Sequence, residues 1–311
     1  MSVLCIIPIH KPHIQNFIQN LSQIISIDLV VEVRVCASNS TDISFLKSVN
    51  SSKLVILCYH SYGQIHQRAF AYSNAPISSK YVLNLDQDIS ISDKAVLLLY
   101  SALENNDKLY SASVPCISLN SESFSRPINC TPGYIYRSGY AQSPSSDSVP
   151  VLSSWTKGGC TLWRSSYAFN LFIHVNLPRC TWSPCEDLIY SFTSHDSFDH
   201  LVLFSHFATH SNDCLSGQPF SLRLVWKGIN IVLWRLLFVS INRHSFEISK
   251  LYLSTFLRIL YINYCAKICI SLGYSIALLL FLPLFFFKSE YQQKILAKYI
   301  VFFDRRINLL E

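Results

Sequence analysis

The 311 residues are enough for one large α/β domain with an appendage, and far more than a disulfide-stapled miniprotein needs. Half are hydrophobic and only 14% are charged, against roughly 25% in ordinary soluble proteins, which excludes a wholly water-facing globule and points to a membrane contact. The net charge of +6 is uneven: up to Leu222, 13 Lys+Arg stand against 15 Asp+Glu, a balance of −2, and from Arg223 onward 12 stand against 4, a balance of +8. The near-neutral first part has no basic field for a nucleic-acid backbone, whereas the apolar and basic tail suits an anionic lipid surface.

In chain order, Val3 to Pro8 is an apolar run read as a buried strand, since it lacks the basic leader and the length of a signal-peptide core. Ile14, Phe17, Ile18, Leu21 and Ile24 follow at helical spacing. A second strand is predicted over Leu29 to Cys36 and a third over Lys53 to Tyr59, with a helical stretch around Gln67 to Asn74. Tyr81 to Leu85 is a short strand closing on Asp86-Gln87-Asp88, and Asp93 to Leu103 is again helical. This alternation predicts a parallel sheet that binds ligands beyond the carboxyl ends of its strands. From Ser118 to Ser154 the sequence turns to Ser, Pro, Asn and Gly with no period, which predicts a long surface loop. Order returns between Trp155 and Arg164, and His200 to Phe204 reads as a late strand.

The tail contains Ile268 to Phe287, 20 residues without a charge, just long enough to span a bilayer core. Leu222 to Ile241 and Ile248 to Ile262 are apolar with single Arg or Lys residues, as interfacial helices often are. A single crossing would carry the basic segment Lys288 to Arg306 away from the cytosol, against the positive-inside tendency. A hairpin broken near Pro283, or a helix lying in the interface, removes that conflict; a buried core helix is the alternative. Eleven cysteines without a Cys-x-x-Cys pair give no zinc or disulfide framework, and with no export signal they place the first part in a reducing cytosol.

Three constellations have chemical potential. Asp86 and Asp88, at a strand end, suit a site where one carboxylate meets a ligand and the other a hard cation such as Mg2+ or Mn2+; a solvated turn is the plain reading. Glu186-Asp187 opens an apolar helical run after Pro184, as helix capping or as a general base. His206 and His210 lie where a strand leads into a loop, so only one would face a site. No zinc-hydrolase His-Glu-x-x-His, Gly-x-Ser-x-Gly elbow, P-loop or dinucleotide glycine fingerprint is present.

The order of these pieces is more specific than any one of them. The strand ending Ile7-Pro8-Ile9-His10, then Ser40-Thr41-Asp42, Gln67-Arg68-Ala69, Leu85-Asp86-Gln87-Asp88, Gly158-Gly159 and Glu186-Asp187 resemble bacterial-type family 2 glycosyltransferases of the GT-A fold. The resemblance covers roughly residues 1 to 212. It implies a nucleotide-sugar-binding, mixed but mainly parallel sheet flanked by helices, within a domain over residues 1–220 in which 118–154 forms an acceptor-side loop. A helical, basic, membrane-associated tail follows over 221–311, with its apolar segment at 268–287. Pro8, His10, Ser38, Asn39, Arg68, Asp86 and Gln87 would contact the donor, with Asp86 on the ribose side. Asp88, with His206 or His210, would hold a divalent cation on the diphosphate. Asp187 would be the base, and Trp155, Gly158, Gly159 and Glu186 would line the acceptor side.

The family's second strand normally ends Asp-x-Gly-Ser-Thr-Asp, and here Ala37-Ser38-Asn39 replaces its first three residues, removing the acidic group of the usual nucleobase contact. The activity implied is inverting, metal-assisted transfer of a sugar from a nucleotide-diphosphate donor to a saccharide or lipid-linked acceptor in polysaccharide or glycolipid assembly. It would take place at the cytoplasmic face of a membrane, with the tail as attachment. The alternatives are a membrane-attached binding protein that keeps the fold without turnover, and a nucleotidyltransferase.

Overall fold

In the computed structural model, the described residues are 2–10, 12–38, 41–60, 63–74, 78–118, 132–136, 141–146, 149–156, 158–168, 177–180, 186–192, 197–210, 221–242, 265–281, 283–284 and 287–308. The chain divides into two compact units. The first comprises Met1–Tyr134, Ser143–Asn176 and Asp196–Cys214, and the second Ile135–Gln142, Leu177–His195 and Leu215–Glu311.

The first unit begins with strand β1 (Val3–Ile9), helix α1 (Ile14–Ser26), β2 (Val30–Ser38), β3 (Leu54–Tyr59), α2 (Gln64–Ser73), β4 (Tyr81–Leu85), the two-residue β5 (Ile89–Ser90) and α3 (Asp93–Glu104). Then come the short strands β6 (Ser111–Ser113), β7 (Cys116–Ser118) and β8 (Val151–Ser153), followed by β9 (Cys160–Arg164), β10 (His200–Val202) and β11 (Ala208–His210). Eight of these strands form one sheet in the order β3-β2-β1-β4-β9-β6-β10-β8, and β5-β11-β7 form a second. Pairing is parallel from β3 through β2 and β1 to β4, while β9 runs antiparallel to both β4 and β6.

All seven residues of β1 are buried, as expected of a strand with neighbours on both sides and helices over both faces. Its alternation divides the work. Val3, Cys5, Ile7 and Ile9 join the apolar core with Phe17, Leu21 and Ile24 of α1 and Val96, Leu99 and Leu103 of α3. The face toward α2 is more polar: buried Arg34 donates from Nη1 to the Ala71 carbonyl at 2.7 Å, and the Tyr72 hydroxyl donates to Asn84 Oδ1 at 3.1 Å. Arg164 closes the far side of the unit, donating to the carbonyls of Leu103, Asn106 and Leu109 at 2.6, 3.0 and 2.7 Å, and so satisfies acceptors where α3 ends.

The second unit contains α4 (Glu186–Ser191), α5 (Leu222–Ile241), α6 (Cys265–Phe281) and α7 (Ser289–Asn308). Helix α5 packs against both α6 and α7. Its contact with α6 is backbone on backbone: a Cβ at Gly273 would lie 2.1 Å from the Val225 carbonyl oxygen, and one at Gly228 2.3 Å from that of Ile270. Only glycine permits this approach. At the other end of α5, the Ser240 hydroxyl donates to Gln292 Oε1 at 3.0 Å and the Ser289 hydroxyl to the Ser240 carbonyl at 2.8 Å, which pins the start of α7.

In the tail, an interruption near Pro283 is among the alternatives the sequence offers, whereas the burial of Leu222 to Ile241 differs from the sequence reading. The uncharged run 268–287 is not one helix, because α6 stops at Phe281, two residues before Pro283, whose ring disfavours helical backbone at the residue ahead of it. Leu222 to Ile241 is the helix, among the described residues, that is long and apolar enough to cross a membrane, yet it is mostly buried by its neighbours within the unit. The segment Ile248 to Ile262 lies outside the described residues, as does much of the loop 118–154; the end of that loop forms β8, an edge strand of the large sheet.

Burial inside this helix group is not free of conflict. Asn230 is fully buried, and among the described residues neither its amide nitrogen nor its oxygen has a hydrogen-bond partner, nor does Trp234 Nε1, one turn on. An unsatisfied buried amide costs about 1–3 kcal/mol. Asn230→Leu, of similar volume, is therefore expected to raise stability toward urea by about 1–3 kcal/mol, read from the shift in unfolding midpoint of the full chain; an unchanged or lowered midpoint would show that the amide has a partner in solution.

Candidate functional site

The order of the strands fixes where a ligand can enter. The chain leaves β1 toward β2 and β3, then crosses back to place β4 on the other side of β1, so the loops after β1 and β4 diverge and leave a crevice at their carboxyl ends. His10 follows β1, and Asp86, Gln87 and Asp88 follow β4. Gln87 joins the two: its Oε1 accepts from the His10 backbone N–H at 2.7 Å and its Nε2 donates to the His10 carbonyl at 3.1 Å. The amide of Gln87 thus completes a strand-like pair with main chain at the switch point.

Asp86 is held from two directions. The Arg68 guanidinium, buried to 3% exposure, pairs with Oδ1, to which Gln64 Nε2 also donates at 2.5 Å. Its backbone N–H donates to the Gly159 carbonyl at 2.9 Å. Gly159 has φ 93°, and a Cβ there would meet Ile89 Cδ1 at 2.8 Å and approach Asp86 Oδ2 to 3.4 Å. The Gly158-Gly159 motif therefore brings its loop against the Asp86 carboxylate. Asp88 is half-exposed in the turn leading to β5.

Helix α2 does more than present Arg68. Gln67, 1% exposed, donates from Nε2 to the carbonyls of Ile9 at 2.9 Å and Cys36 at 2.7 Å, tying together the ends of β1 and β2. Gln64, Gln67 and Arg68 fall on one side of α2 by their three- and four-residue spacing. The resemblance gives a role only to Arg68; the polar stripe spaced with it is the signal that identifies the two glutamines.

The other predicted residues are placed as follows. Pro8 is in β1 opposite Cys36. Ser38 ends β2 with its hydroxyl 2.8 Å from that of Thr41, and Asn39 lies outside the described residues. Ala37 is fully buried in the apolar core, where no acidic group would be tolerated without a partner. Trp155 is buried beside Ser153, whose hydroxyl donates to the Trp155 carbonyl at 2.6 Å. His206 sits in the turn before β11 with Nδ1 3.2 Å from the Ser205 hydroxyl. The register of β11 on β5 sets His210 opposite Ile89, the residue after Asp88. Glu186 and Asp187 belong to the second unit, where Asp187 Oδ1 accepts from the Leu188 N–H at 2.9 Å, a helix-start contact. Glu186 is buried and Asp187 half-exposed.

Among the described residues, no group of three or more His, Cys, Asp or Glu is gathered around a point that would hold a metal. Asp86 is engaged by Arg68 and Gln64, and Asp88, two residues on, is the second carboxylate of the motif that could hold a hard divalent cation. Cys160, next to Gly159, is no nucleophile: burial, with smaller contributions from Cys116, Cys5 and Asp86, pushes its thiol well above the ordinary range.

No protein-family model matches the sequence, and a search of curated proteins finds no match. Solved structures do match in shape. One is GalNAc-T7 with UDP, GalNAc and Mn2+, at a TM-score of 0.57 and 12% identity over 79% of this chain; the match spans 51% of that protein, so the present chain accounts for about half its length. Another is S. aureus TarS 1-349 in complex with UDP-GlcNAc, at a TM-score of 0.50 and 14% identity, covering 76% of this chain and 67% of that one.

Loss of the Gln67 amide tests the anchoring of the crevice. In Gln67→Leu the Ile9 and Cys36 carbonyls lose a buried donor, and stability toward urea should fall by about 2–4 kcal/mol; a change below the error of the measurement would show that the strand ends do not rely on it. The mixed, mainly parallel sheet, its flanking helices and these structural matches establish that the chain has the GT-A glycosyltransferase fold.

Proposed function

We propose that the protein is a family 2-like, inverting hexosyltransferase that moves a sugar from a nucleotide-diphosphate donor to a hydroxyl of a saccharide or lipid-linked acceptor. The observation that carries the reading is the pair Asp86 and Asp88 at the β1/β4 switch point, the first fixed by Arg68 and Gln64. Its support from outside the chain is that GalNAc-T7 and TarS, which share the fold, were seen with UDP and UDP-GlcNAc.

In this reading the donor lies over the ends of β1, β2 and β4. Asp86, already oriented by its two donors, accepts ribose hydroxyls, and Pro8, His10, Ser38, Asn39 and Gln87 shape the floor around the nucleotide. Asp88, with His206 or His210, would hold Mg2+ or Mn2+, which would supply positive charge opposite the diphosphate leaving group. Mn2+ accompanies UDP in GalNAc-T7. Asp187 takes the proton of the acceptor hydroxyl as it attacks the anomeric carbon, so that one displacement inverts the centre and no glycosyl-enzyme forms. Trp155, Gly158, Gly159 and Glu186 frame the acceptor side. Transfer takes place at the cytoplasmic face of a membrane, in polysaccharide or glycolipid assembly, with the helical tail as attachment.

A second reading, a binding protein of the same fold without turnover, is favoured by one observation, the buried Ala37 in place of an acidic nucleobase contact. Incubation with a panel of labelled nucleotide sugars and Mn2+ separates the two. Donor hydrolysis or sugar transfer supports the first and silence the second, while diphosphate release from a nucleoside triphosphate plus a sugar phosphate would make the protein a nucleotidyltransferase. With the donor so identified, Asp187→Asn should leave its affinity nearly unchanged while lowering turnover by about a hundredfold or more; near-normal turnover would remove the base assignment. Asp88→Ala should abolish the Mn2+-dependent part of donor affinity in calorimetry, and an unchanged metal dependence would remove its role as ligand.

A further inference from the structure

Helix α7 has two faces of different chemistry. Gln292, Leu296, Ile300, Asp304 and Ile307 recur every three or four residues and are buried in the second unit. On the opposite side, three aromatic rings stand in solvent: Tyr291 is 53% exposed, Tyr299 43% and Phe302 47%. Four basic residues, Lys294, Lys298, Arg305 and Arg306, are exposed between and after them. At 3.6 residues per turn all seven side chains fall within an arc of about 140°. Of the acidic residues of α7, Asp304 is buried, and exposed Glu290 lies about 40° beyond Lys294, at the rim of the arc and one helical turn before that lysine. Arg306 lies over the Phe302 ring at 5.3 Å, so a cation and a ring already share one patch of surface.

A face of three solvated rings with four cations, against a single carboxylate at its rim, is unsuited to water alone and poorly matched to an acid-free apolar partner. Aromatic rings settle at the level of lipid headgroups, and lysine and arginine at the same depth meet lipid phosphates. We propose that this face of α7 is a docking surface for an anionic phospholipid interface, with the helix lying in the plane of one leaflet. Tyr291, Tyr299 and Phe302 enter the boundary between headgroups and acyl chains while the four bases contact phosphates around them. This rests on the reading of the tail as a membrane attachment and assigns that attachment to α7. The longest apolar helix, α5, is mostly buried within the unit, packed against α6 and α7, and is not the docking element.

The test is co-sedimentation of the full chain with vesicles of phosphatidylcholine alone and of phosphatidylcholine with about one quarter phosphatidylglycerol. Strong binding is expected only with the anionic vesicles, weakening as salt is raised. The combined substitution Lys294→Glu, Lys298→Glu, Arg305→Glu and Arg306→Glu should weaken that binding roughly a hundredfold or more. All four sites are exposed, and the salt titration of the unaltered chain reads the same electrostatics without any substitution. Equal binding to both vesicle types, or undiminished binding of the substituted chain, would overturn the assignment to α7 while leaving membrane attachment standing. Absence of binding to either vesicle would overturn both. Retention on a single-stranded oligonucleotide in preference to anionic vesicles would overturn the choice of partner. None of these outcomes bears on transfer from a nucleotide sugar, which the donor panel reads separately.

Discussion

The crevice depends on one buried cation. Arg68 is withdrawn from solvent on α2, and a guanidinium in such a place is tolerable only when a counter-charge meets it. Asp86 is that counter-charge, so the position of the turn after β4 is set by a residue 18 positions earlier in the chain. The same carboxylate accepts from Gln64, and its main chain is bonded to Gly159, so a helix, a strand end and a glycine loop converge on a single acidic group. Breaking one member of such a pair leaves a buried charge without compensation, which is far costlier than the net worth of the pair. Asp88 follows two residues on, half-exposed in the turn that this anchoring fixes.

Main-chain carbonyls at strand ends are the second element of this construction. Parallel strands finish with acceptors that no neighbouring strand can always satisfy, and here side-chain amides take over: Gln67 serves β1 and β2, and Gln87 serves the residue after β1. Both glutamines act on backbone, so their contribution is to hold the floor of the crevice rather than to recognise a ligand. A floor built from amide-to-carbonyl bonds carries no net charge, which leaves the local field to Arg68, Asp86 and Asp88.

Much of the first unit was legible in the sequence because its elements are long and strongly patterned. The continuous apolar run of β1 and the Phe17, Leu21, Ile24 stripe of α1 each bury a whole face, and their ends fall within a residue or two of where periodicity puts them. The second sheet was not legible: β5, β7 and β11 have two or three residues each, too few for any alternation to show. The antiparallel insertion of β9 between β4 and β6 is a matter of long-range pairing that local pattern does not encode. At the site, Asp86, Asp88, Arg68 and the glycine pair stood out by motif, whereas Gln64 and Gln67 did not, since glutamine on a helix is ordinarily a solvated residue. In the tail, composition marked apolar stretches but not what covers Leu222–Ile241. Gly228 and Gly273 were the cue, because small residues at a helix surface let two backbones meet.

The central place of α5 has a consequence for biosynthesis. It precedes in the chain the two helices packed against it, so Leu222–Ile241 lacks its full cover until α6 and then α7, ending at Asn308, have been added. At ordinary elongation rates that interval is about 3–13 s. During it a 20-residue apolar segment lacks part of the cover it has in the finished fold, and apolar surface exposed in this way is prone to associate with other chains.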